Sequence, residues 1–125
     1  MKPCKLTIIT NTDGQENSIT RNGEMEISQS SLVLRYREEN AMVYLRIEGD
    51  SAQIERQGDY SLKLCLKQNV LTQGEIGIGG SNGSLQTLAH EIAYSKSEQA
   101  ILVTLQYDLI IGQETQKMRL RILGT

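Results

Sequence analysis

Hydrophobic and polar residues alternate along most of this chain. From Gln99 to Ile111, the residues Ile101, Val103, Leu105, Tyr107, Leu109 and Ile111 fall on one side, and Thr104, Gln106 and Asp108 on the other. A period of two marks a β-strand with one buried face. The same period recurs upstream. Cys4, Leu6 and Ile8 share a side in a strand running from Cys4 to Thr12, which Asp13-Gly14 ends as a turn. Ile19, Met25 and Ile27 share parity in a strand from Asn17 to Ile27, where Asn22-Gly23 suggests a bend or bulge. Ser30 to Glu38 sets Leu32, Leu34 and Tyr36 against Arg35 and Arg37, and Glu39-Asn40 turns the chain. Ala41 to Glu48 sets Val43, Leu45 and Ile47 against Tyr44, Arg46 and Glu48, before a turn at Gly49-Asp50.

Ala52 to Arg56 reads as a short strand closed by Gly58-Asp59. In Tyr60 to Lys67, Tyr60, Leu62, Leu64 and Leu66 face in while Ser61, Lys63, Cys65 and Lys67 face out. Gln68 to Gly83 holds Gly74, Gly77, Gly79, Gly80 and Gly83, and predicts a short strand inside a loop. Met118, Leu120 and Ile122 form the last strand, with Arg119 and Arg121 outward. One segment breaks the period. In Ser84 to Tyr94, Leu85, Leu88, Ala89 and Ile92 match the helical template, and Ser84 is placed to cap it, so taken alone the segment predicts a helix. Eight to ten strands joined by turns too short for crossovers predict an all-β single domain over residues 1–125, an antiparallel meander. Closing the meander into a barrel removes its exposed edges.

Composition narrows the function classes. The 125 residues carry a net charge of −2, which argues against nucleic-acid binding through a basic face. No apolar run approaches the ~18 residues of a membrane span. The start, Met-Lys-Pro-Cys, lacks a signal-peptide apolar segment, so the expectation is a soluble protein of the cytoplasm. There a disulfide between Cys4 and Cys65 is not expected, and Cys65, beside Lys63 and Lys67, reads as an exposed free thiol.

Candidate chemistry is sparse. His90 is the single histidine, and no nucleophile and acid stand at the spacing a triad needs. Cys4, Cys65 and His90 show no zinc-ligand spacing, so no metal or other cofactor is expected. Glu38-Glu39 reads as a solvated hairpin tip rather than an acid–base pair. The run Ile76 to Gly83, IGIGGSNG, lacks the lysine and following helix of a phosphate-binding loop and reads as a hairpin or barrel lid. Arg56 stands out because it shares parity with Ile54 and therefore faces inward. A buried guanidinium needs a partner. That partner is either the carboxylate or phosphate of a ligand, with Tyr36 or Tyr107 nearby, or an internal acid or carbonyl at the barrel end.

Several segments are similar to one family. Arg56-Gln57-Gly58, Gly83-Ser84-Leu85, Val103 to Gly112 (VTLQYDLIIG), and Met118-Arg119-Leu120-Arg121-Ile122 follow in the order and spacing of the YwiB-like proteins. Leu34-Arg35-Tyr36-Arg37-Glu38 also looks like that family's aromatic-and-acid strand ending. The chain thus resembles a group of small calycin-like β-barrel proteins of uncharacterised function, from Leu6 to Ile122. It departs before Gly83, where Ile78 and Gly80 stand in place of an aromatic and a Thr. The resemblance implies a lipocalin-like barrel and an extended conformation for Ser84 to Tyr94, and it implies no activity. The expectation is a closed calycin-type barrel that is not an enzyme and binds a small apolar or amphipathic anionic ligand, with Arg56, Tyr36 and Tyr107 as lining residues. The rival is a protein-interaction or assembly module with a filled core. Monomer and homodimer stand equally open.

Overall fold

The computed structural model describes residues 1–125 and contains only strands, turns and loops. Ten strands follow in order: β1 (Lys2–Thr12), β2 (Gln15–Ile27), β3 (Ser31–Glu38), β4 (Ala41–Glu48), β5 (Ser51–Gly58), β6 (Tyr60–Lys67), β7 (Leu71–Ile78), β8 (Ser81–Lys96), β9 (Ile101–Ile111) and β10 (Glu114–Gly124). Each pairs antiparallel with its neighbours in sequence, and β1 pairs with β10, so the meander closes into a barrel. Closure leaves no terminal strand without a partner on either side. Of the 87 backbone–backbone hydrogen bonds, 79 lie within the strands, so the ladders supply most of the backbone pairing.

Alternation carries the core inward. Leu6, Leu32, Leu34, Leu45, Ile47, Leu64, Ile101, Val103, Leu105 and Ile122 are fully buried. With no Trp and no Phe, the filling is aliphatic apart from the buried Tyr36 and Tyr107. Thr87, also fully buried, satisfies its hydroxyl across the β7–β8 ladder on Thr72, Oγ1 to Oγ1 at 2.6 Å.

Two expectations change. Gln68 to Gly83 is mostly regular strand, because β7 and β8 pair from Leu71↔Leu88 to Ile78↔Ser81. Its glycines serve packing and turning. A Cβ on Gly74 would stand 2.7 Å from the Lys63 carbonyl oxygen, and Gly79 and Gly80 take φ of +57° and +83° in the connecting turn. Asn22-Gly23 is no bulge either, since β1 and β2 pair without interruption. Gly23 is instead a close approach, where a Cβ would meet the Arg35 carbonyl oxygen at 2.7 Å and Leu6 Cδ1 at 2.8 Å.

The one register shift in the ladders falls in β8 between Ala89 and Glu91. Leu85 and Ala89 lie four apart on the same face of a strand, and the extra residue His90 puts Ile92 three further on. The bulge therefore counterfeits the 4-then-3 spacing of a helix. Its loose backbone groups are capped by the β6–β7 connection: Asn69 N donates to the Ala89 carbonyl at 2.8 Å, and Ile92 N donates to Gln68 Oε1 at 3.1 Å.

Candidate functional site

The two ends of the barrel differ. One carries the chain termini and is packed: Leu32, Ile47, Ala52, Leu66, Ile92 and Ile101 are all buried there, with Ile27 exposed at its rim. At the other, which carries the turns after β1, β3, β5, β7 and β9, the inward positions reach solvent. Ile19, Leu62, Ile76, Leu109, Met118 and Leu120 are only half-buried. On the rim Tyr60 is 38 % exposed, Ile111 42 % and Ile78 61 %. This end of the barrel is therefore a shallow cup, with apolar residues of β2, β6, β7, β9 and β10 left half-wet inside it.

A polar stretch stands directly beside Met118 and Leu120, which pair with Thr12 and Thr10. Thr10, Thr12, Gln15, Glu16 and Asn17, on the β1–β2 hairpin, line a hollow of about 480 Å³. Beside it β2 leaves β3, since the two pair only between Gly23↔Tyr36 and Ile27↔Leu32. The parting opens a slot of about 230 Å³ lined by Asn17, Ile19, Arg21, Glu38, Glu39, Asn40, Arg56 and Asp59.

Arg56, Tyr36 and Tyr107 all lie at this open end. Tyr36, Val43, Arg56 and Leu62 stand in one cross-strand row through successive ladders. Gly58 lets β5 abut the β3–β4 turn, where a Cβ would collide with the Asn40 carbonyl oxygen and stand 2.6 Å from Ala41 Cβ. That contact brings Glu38 to Arg56. The guanidinium is only 12 % exposed and is held from four sides. Nη2 meets Asp59 Oδ1 at 2.9 Å, Nη1 donates to the Tyr60 carbonyl at 2.8 Å, Nε lies 3.5 Å from Glu38 Oε2, and the group sits 3.7 Å over the Tyr60 ring. Burial alone would lower the Arg56 pKa, but the Asp59 hydrogen bond and the surrounding negative charge raise it above its usual range. The same hydrogen bond holds the Asp59 carboxyl below its usual value. Nε is nevertheless buried without a hydrogen-bond acceptor.

Burial pushes the Tyr107 hydroxyl up to about 12, and raises Tyr36 further, with Glu38 and Tyr107 adding to the rise and Arg56 opposing it. Both hydroxyls are thus neutral at ordinary pH and can donate or accept one hydrogen bond.

Sequence reasoning missed Arg21. It pairs in register with the buried Leu6 and so shares the inward face of Ile19 and Met25, the same parity that marks this strand in the sequence. No carboxylate lies within 4.0 Å of it. Tyr60, Asp59 and Glu38, the partners of Arg56, carry no signal of that role in the sequence, because only the closed barrel brings them together. No cluster of His, Cys, Asp and Glu able to hold a metal ion occurs.

A closed ten-stranded up-and-down barrel, packed at one end and open at the other, is the class of protein these features define. The chain belongs to the family described as domain of unknown function DUF1934, which it matches over residues 4–122. Its fold is similar to that of the crystal structure of the ywiB protein from Bacillus subtilis, with a TM-score of 0.83 at 17 % identity, covering 98 % of this chain and 90 % of that one. No curated protein matches the chain.

Proposed function

We propose that the protein is a non-enzymatic, calycin-like barrel that takes a small amphipathic ligand into its open end. The observation that carries this reading is the uneven burial of inward-facing side chains. Apolar residues left half-wet inside one end of an otherwise sealed barrel are stabilised by an apolar occupant. The polar stretch of Thr10, Thr12, Gln15 and Asn17 faces the ligand's head, and Leu109, Met118 and Leu120 its body. Arg56 serves this site as a fixed corner post, since Asp59, Glu38 and Tyr60 already occupy it. Tyr36 and Tyr107 form the floor.

The outer wall, with Arg35, Arg46, Lys63, Gln106, Arg119 and Arg121, is mostly polar, with Leu71, Leu102 and Leu123 exposed among them, which fits a barrel standing in water and runs against a membrane barrel's alternation. Both cysteines are free, which fits the reducing cytoplasm. The sealed end favours the rival reading, an interaction module with a filled core, and one experiment separates the two. Native mass spectrometry of the freshly purified protein is expected to find one small molecule per barrel, and the uncharged probe N-phenyl-1-naphthylamine to bind saturably at one site. Leu109→Trp, which fills the cup, abolishes both. A bare protein that ignores the probe would sink the ligand reading and leave the interaction module.

A further inference from the structure

We infer that the outer wall carries a second site, a groove that binds a phosphate-type oxyanion borne by a small polar molecule. The groove, about 670 Å³, crosses the outer faces of β1, β9 and β10 beside the β8 bulge, and its polar lining includes Asn11, His90, Gln106, Asp108, Lys117 and Arg119. It does not depend on the cup.

The bulge makes this site. It is the only irregularity in the ladders, and the extra residue it presents to the outside is the only histidine of the chain. Bulges cluster where a side chain must be re-aimed. His90 Nε2 lies 3.0 Å from Asp108 Oδ2, which places the ring beside the groove. Asp108 stands opposite Lys117 in register, and Arg119 stands between Gln106 and Asn11.

Each acid of the groove has a donor beside one of its oxygens and keeps its charge. Asp108 has the His90 imidazole 3.0 Å away. Asp13 Oδ1 accepts from the Lys117 backbone N–H at 2.8 Å, tying the β1–β2 turn to the floor. Glu91, also outward and opposite Gln106, does not line the groove. Donors remain. Asn11 Oδ1 accepts from Gly14 N at 2.9 Å, so the amide is oriented with its NH₂ free. No carboxylate lies within 4.0 Å of Lys117 or Arg119. An ammonium, a guanidinium and two amides can converge on a tetrahedral oxyanion, with Asp13 and Asp108 bordering the same groove.

Because the chain has one histidine, its imidazole Cε1–H gives a single proton resonance that reports on the groove. Inorganic pyrophosphate is titrated at constant ionic strength, with potassium chloride replaced mole for charge. The His90 resonance is expected to move saturably with one-site stoichiometry. Arg119→Gln should weaken binding at least tenfold. Arg121→Gln removes an identical charge from the same face of β10, outside the groove, and should change it less than twofold. If Arg119→Gln does not fold, as judged by its upfield methyl signals, Lys117→Gln carries the same expectation. Absence of a saturable shift overturns the proposal. So does a loss below tenfold in the groove variant, or one above twofold in Arg121→Gln, since either marks diffuse attraction rather than a site.

Discussion

Replacing Arg56 with Met keeps the aliphatic stem and removes the charge, so it isolates what the guanidinium does for the fold. Four contacts are lost. The hydrogen bond to the Tyr60 carbonyl has a charged donor, a kind worth about 1.5–3 kcal/mol. The pair with Asp59 adds little, because that carboxylate is 61 % exposed and rehydrates on release. Glu38, at 3.5 Å and without hydrogen-bond geometry, contributes ~0.5 kcal/mol. The stack on Tyr60 adds about 0.5–1 kcal/mol. Against these stands relief of the buried Nε, whose missing acceptor costs about 1–3 kcal/mol. The balance is a loss of about 1.5 kcal/mol, or roughly 0.75 M in urea midpoint for an m of about 2 kcal/mol/M. Urea unfolding of the ligand-free protein measures it, with m unchanged. A loss under about 0.5 kcal/mol, set against the range of ordinary surface substitutions, would refute the corner-post role. Arg56 would then be retained for a ligand.

The raised Tyr107 pKa sets an alkaline limit. Its contribution to stability is complete below the unfolded value of about 10 and is lost as pH rises through the folded value of about 12. The urea midpoint should fall across that window, and less steeply in Tyr107→Phe. Ellman's reagent should titrate one thiol in the native protein, the exposed Cys65, and the second only after unfolding, because Cys4 is buried and its pKa is raised by burial and then by Glu24. Gly58→Ala should cost about 1–3 kcal/mol as an overpacking change and move Glu38 from Arg56, read as a lowered urea midpoint with the coupling of Glu38→Gln to Arg56→Met abolished in a double-mutant cycle. Equal coupling in both backgrounds would show that Gly58 does not position the pair.

Alternation alone determined most of this barrel. Tyr60 to Lys67 coincides with β6, and Gln99 to Ile111 contains β9, which starts at Ile101, because a two-residue period is a local property that burial on one face imposes on each strand. The inward placement of Arg56 was legible for the same reason, and Arg21 was legible by the same parity. Tertiary structure decided what parity could not. It drew Glu38, Asp59 and Tyr60 around Arg56, since those contacts join β3, β5 and β6 across turns whose closeness depends on Gly58. It also turned Ser84 to Tyr94 from a helical spacing into a bulged strand. The 4-then-3 pattern suits either state locally. The β9 ladder on one edge, and Gln68 and Asn69 capping the other, supply the backbone partners that make the strand the lower state. A one-residue insertion is invisible to periodicity, because its meaning lies in the neighbouring strand it slips against.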